Sequence, residues 1–113
     1  YFTSAKADRE KAYADALADF ADIENSAKAS EDEKALAYKA HIAMVERQEK
    51  QTNIETLVKA KGFADCVTVI NDDNVTVVVS SEELSNSEML QIQDIVSDNC
   101  KVELKNIKII NIK

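Results

Sequence analysis

The sequence predicts an α+β protein, in which a helical hairpin extension precedes an α-β-β-α-β unit whose three-stranded sheet is covered by two helices. Three observations carry that prediction. Ile54, Leu57, Val58 and Lys61 recur at i, i+3, i+4 and i+7, one face of a helix. From Cys66 the period falls to two, and three runs rich in β-branched residues follow: Cys66 to Ile70, Val75 to Val79 and Ile107 to Ile112. Two Ser-x-x-Glu boxes, Ser30–Glu33 and Ser85–Glu88, mark where helices begin.

A first helix is expected from about Ser4 to Ser26. Phe2, Tyr13, Ala16, Leu17, Phe20 and Ile23 lie in one arc of its wheel, and frequent alanine keeps helix propensity high. Arg9 interrupts the stripe, so its first half reads as exposed. After a weak break at Asn25–Ala29 the chain restarts at Ser30, whose hydroxyl can accept from the Glu33 N–H while the Glu33 carboxylate returns to the Ser30 N–H. The second helix then runs from Glu31 to Lys61, about 45 Å at ~1.5 Å per residue. Its apolar face changes side along its length. Tyr38, Ile42 and Val45 are placed to meet the first helix; Ile54, Leu57 and Val58, on nearly the opposite side, are placed to cover the sheet. The polar stretch Glu46–Gln51 between them reads as solvated. The helical extension thus occupies residues 1–49 and the core unit 50–113.

Gly62 is the only glycine and stands where a helix usually stops, so a positive φ is expected there. Strands one and two are joined by Asn71-Asp72-Asp73-Asn74, residues that tolerate left-handed φ and bond their own backbone. Val67 and Val69 share a face with Val75, Val77 and Val79 or with the residues between them. Ser85 opens a third helix to about Asn99, with Met89, Ile92, Ile95, Val96 and Cys100 inward. In strand three Ile107 and Ile109 alternate, and Ile110 and Ile112 continue on the other face or after a bulge. A crossover through the third helix predicts a sheet order of 2-1-3, with strand one central and strand three antiparallel to it. That order separates Cys66 from Cys100 toward opposite ends of the sheet, so both are expected to be free thiols.

Composition narrows the function classes. The chain of 113 residues carries 21 acidic against 14 basic side chains, a formal charge of −7. Such a surface repels phosphate backbones and anionic headgroups. The α-β-β-α-β order also occurs in RNA-binding KH domains, but these clamp RNA with a G-x-x-G loop that a chain with one glycine cannot build. No segment approaches the ~20 apolar residues of a membrane span. The start at Tyr1 reads as a piece excised from something longer. His41 stands alone on the second helix with no ligand-spaced partner and reads as structural. The serines are cap and turn residues, and the acidic pair Asp72–Asp73 is better explained as a turn than as a cation site. No catalytic, cofactor-binding or metal-ligating set is found, and an enzyme reading would need a ligand in a concave pocket.

Three stretches taken together resemble the stage III sporulation protein AH family: the opening Tyr1-Phe2-Thr3-Ser4-Ala5-Lys6-Ala7-Asp8-Arg9, the junction from Ile54 through Lys59-Ala60-Lys61-Gly62-Phe63-Ala64-Asp65-Cys66-Val67, and the tail Ile107-Lys108-Ile109-Ile110. The resemblance covers essentially the whole chain and departs from the family at the glycine-free turn and the two cysteines. It implies a non-enzymatic subunit of a sporulation channel, or feeding tube. The α-β-β-α-β unit would be similar to the ring-building motif of secretion-system basal bodies. The partner implied is a stage II sporulation protein Q-like protein of the forespore membrane, with self-assembly into a homo-oligomeric ring. The domain would lie in the space between mother cell and forespore, tethered to the mother-cell membrane by a span N-terminal to this stretch, with no membrane contact of its own. The alternative is a cell-envelope adaptor or secretion-ring domain outside sporulation.

The interface residues expected from the sheet edges are Val75, Val77, Val78 and Val79 on strand two, and Lys108, Ile110 and Ile112 on strand three. Unpaired edge groups invite another chain to pair. Lys105, Lys108 and Lys113 would favour an acidic partner on the strand-three side, while strand two has almost no charge to protect it.

Overall fold

A computed structural model describes residues 1–71 and 73–113, so the expected turn residue Asp72 lies outside the described residues. The elements are α1 (Phe2–Glu24), α2 (Glu31–Ala60), β1 (Cys66–Asn71), β2 (Asn74–Ser80), α3 (Asn86–Asn99), a 3-10 turn at Leu104–Asn106 and β3 (Ile107–Ile112). The chain divides into two compact units, one of Tyr1 and Thr3–Arg47, the other of Phe2 and Gln48–Lys113. Among the described residues no helix is long and apolar enough to cross a membrane.

In the first unit, partly buried positions recur along α1 at Lys6, Arg9, Tyr13, Ala16 and Phe20, alternating steps of three and four. The same spacing appears on α2 at Lys34, Ala37, His41 and Met44. Both are narrow seams of the kind two antiparallel helices use. Arg9 is half-buried, with its guanidinium Nε out of contact with solvent, so the first half of the stripe is not exposed as expected. The inner face of α2 also differs from the expected one: Ala37 is buried, whereas Tyr38 and Ile42 are exposed. His41 holds the hairpin, with Nδ1 3.3 Å from Glu24 Oε1 and its ring stacked on Phe20 at 5.7 Å. At the start of α2 the Ser30 hydroxyl accepts from the Glu33 N–H at 3.1 Å and donates to Glu33 Oε1 at 3.1 Å, so the carboxylate takes the hydroxyl where the Ser30 N–H was expected.

In the second unit the sheet order is β1-β2-β3. β1 and β2 form the antiparallel hairpin, with Cys66 opposite Val79 and Asn71 opposite Asn74. β3 lies parallel to β2, with Val75 opposite Ile107 and Ser80 opposite Ile112. This replaces the expected 2-1-3 order and its antiparallel strand three. The physical reason is visible in β2, where Val75, Val77 and Val79 are fully buried on one face and Val78 is buried on the other. A near-continuous valine run belongs to a central strand. The helix α3 is the crossover that returns the chain parallel to β2. Unbroken register along β3 shows no bulge, so Ile110 and Ile112 face opposite to Ile107 and Ile109.

One core holds this unit together. Ile54 and Val58 of α2 and Ile92, Ile95 and Val96 of α3 pack with Phe63, Cys66, Val75, Val77, Val79 and Cys100. The Ser85 box is complete: its hydroxyl accepts from the Glu88 N–H at 3.1 Å and the Glu88 carboxylate accepts from the Ser85 N–H at 3.0 Å. Gly62 ends α2 with φ 111°, as expected. Both cysteines are free and buried.

Candidate assembly surface

The sheet has two edge strands, β1 and β3. In an antiparallel pair, alternate residues turn their backbone groups toward the partner strand and away from it. In β1 the N–H groups of Cys66, Thr68 and Ile70 point away from β2, and each has a side-chain acceptor. Glu55 Oε2 takes the Thr68 N–H at 2.7 Å and Gln51 Oε1 takes the Ile70 N–H at 3.0 Å. Asp65 Oδ1 takes the Cys66 N–H at 2.8 Å. Gln51 and Glu55 are themselves buried, one turn apart on the same α2 face as Ile54 and Val58. The face read from hydrophobicity is thus turned: Leu57 is 45% exposed and Lys61 is exposed, while Gln51 belongs to the inner face and not to a solvated stretch.

The expected interface residues separate accordingly. Val75, Val77, Val78 and Val79 lie in the central strand, paired on both sides, so β2 offers no free edge and these side chains are buried. Lys108, Ile110 and Ile112 lie on the outer strand β3 and share one face of the sheet. Across that face Val67, Val78 and Ile110 stand abreast, and Val69, 46% exposed, neighbours Thr76 and Lys108 in the next row. Beside β3, Lys105 pairs with Glu103 at 3.2 Å and Lys113 with Glu82 at 3.4 Å. Lys108 is exposed and, among the described residues, has no ion pair. The end of β3 is tied down by Asn111, whose Nδ2 donates to the Glu82 carbonyl at 3.0 Å, and by the Ser81 N–H, which donates to the Ile112 carbonyl at 2.9 Å.

A depression of about 630 Å³ lies at the C-terminal end of α3, lined by residues including Lys50, Ile70, Asp73 and Cys100. Burial pushes the Cys100 thiol up, with Lys50 opposing, which is the reverse of an activated thiolate. Among the described residues no group of His, Cys, Asp and Glu is placed to hold a metal ion.

The family model described as SpoIIIAH-like protein matches residues 1–109. Stage III sporulation protein AH of Bacillus subtilis (strain 168) is 29% identical over 100 residues, which cover 88% of this chain and 46% of that protein. The chain therefore spans about half the length of the curated relative it matches. A chain of the solved SpoIIQ-SpoIIIAH pore forming complex superimposes with a TM-score of 0.87 at 25% identity, over 97% of this chain and 95% of that one. The type III secretion system protein EscJ of enteropathogenic E. coli superimposes with a TM-score of 0.58 at 22% identity, over 77% of this chain and 60% of that one. At that identity the second likeness speaks for the fold alone.

Proposed function

The chain belongs to the SpoIIIAH-like protein family, and from that premise we propose that it is a non-enzymatic structural subunit of a sporulation channel, acting by binding a SpoIIQ-like partner and by assembling into a ring. The observation that carries the reading is the overlay on a chain of a pore-forming complex, which takes in nearly the whole chain, helical extension included. In this reading the domain lies between mother cell and forespore, held to the mother-cell membrane by a part of the protein outside this stretch. A ring subunit needs two non-identical surfaces, because only a head-to-tail contact closes a ring. Lys108, Ile110 and Ile112 on β3 form one candidate surface. The extension, residues 1–49, would then set the spacing between the core unit, 50–113, and its tether.

The test is capture of the extracellular part of a SpoIIQ-like protein from the same genome. Co-elution with the wild-type chain is expected, and Ile110→Lys with Lys108→Glu should weaken it without unfolding the domain. If the two folded proteins do not associate at all, the channel reading fails. If they associate and the β3 variants bind unchanged, only the β3 assignment fails.

A further inference from the structure

We infer that Gln51, Glu55 and Asp65 form a lock that closes the β1 edge to strand addition by a second copy of this chain. This goes beyond the channel reading and does not depend on it. An edge strand presents alternate unpaired N–H groups as a template for another chain. On β1 the three outward N–H groups are all engaged, two of them by a helix acting in place of a neighbouring strand.

The geometry explains how a helix can do this. Gln51 bonds Ile70 and Glu55 bonds Thr68, so helix numbering rises as strand numbering falls and the two elements run antiparallel. Four residues of helix advance about 6 Å, and two residues of strand advance about 6.7 Å. The two repeats nearly match, and acceptors at i and i+4 meet donors at j and j−2. The next helix position in this series is Lys59, which has no acceptor. There the Asp65 carboxylate, adjacent in the chain, takes the Cys66 N–H. Burial of Gln51 and Glu55 beside core positions Ile54 and Val58 keeps the acceptors on station. On β3, by contrast, Lys105 and Lys113 are paired with Glu103 and Glu82, and the exposed Lys108 is left as the charge on that strand.

Amide hydrogen exchange and sedimentation velocity on the full chain test the lock. In the double variant Gln51→Ala, Glu55→Ala, the Thr68 and Ile70 amides should exchange about tenfold faster or more, since each loses its acceptor, with β2 amides unchanged. Concentration-dependent association beyond that of the wild type should appear, a second copy adding at the freed edge, and should restore protection at both amides. Glu55→Gln keeps a carbonyl acceptor and should leave Thr68 protected. If the double variant does not fold, Gln51→Ala alone should expose Ile70 and spare Thr68. At dilution where the variants are monomeric, wild-type exchange at both amides in the folded double variant, or at Ile70 in Gln51→Ala, overturns the lock. So does a folded double variant with both amides exposed that associates no more than the wild type.

Discussion

At Gly62 the cost of a side chain is set by the backbone and not by packing. Its φ is 111°, and an added Cβ would meet nothing within 4 Å. Gly62→Ala should therefore destabilise by on the order of 1 kcal/mol through backbone strain. A lower urea midpoint with an unchanged m-value is the expected signature. The cysteines illustrate the opposite case, in which surroundings dominate. Burial raises the Cys100 thiol above its ordinary range and Lys50 only partly offsets this. A group whose folded pKa is raised favours the fold in its protonated form. Its contribution is full below the unfolded thiol pKa and is lost as pH rises through the folded one. Stability of the wild type should thus fall from about pH 8.5–9 upward, the ordinary thiol range. Cys100→Ala should remove part of that fall, as read from urea midpoints across the alkaline range.

Among the elements, β2 shows how far sequence carries and where it stops. Its boundaries, the capped start of α3 and the extent of β3 follow from alternation and from Ser85–Glu88, because these signals are local. Strand order is not local. The same valine run that reads as an unprotected edge is equally the pattern of a strand buried on both faces, and Val78 decides between them only once its surroundings are known. Gln51 and Glu55 escaped a reading based on hydrophobicity because burial of a polar residue depends on a partner, here an N–H up to nineteen positions away in the chain. Their i, i+4 spacing beside Ile54 and Val58 was the one available signal. The central place of β2 gives a direct prediction. Val78→Lys puts a charge at a 5%-exposed site and should destabilise by on the order of 3 kcal/mol or prevent folding. Ile110→Lys, on the half-buried outer strand, should cost clearly less, and thermal melts of the two variants side by side check the ordering.

At the scale of the whole molecule, stability is distributed unevenly between the two units. Every residue of the hydrophobic core, from Ile54 to Cys100, and the residues packed against it, to Ile109, fall within Gln48–Lys113. The N-terminal unit has no buried residue in α1, and Ala37 is the only buried apolar residue of α2 before Ile54. Its two narrow seams and the His41 contacts with Phe20 and Glu24 are surface-grade interactions, worth roughly 1 kcal/mol or less each. Helices with so little to bury depend on propensity and on mutual contact, and isolated helices are marginal in water. A fragment of residues 48–113 keeps the acceptors Gln51 and Glu55, all three strands and the core, and at roughly 65 residues it lies within the range of domains that fold alone. It should therefore unfold cooperatively, with β2 amides protected nearly as in the full chain. A fragment of residues 1–47 should show only partial, non-cooperative helicity by circular dichroism. If 48–113 proves unfolded while the full chain is folded, the extension is part of the folding unit, and the division into a self-sufficient core and an added hairpin is wrong.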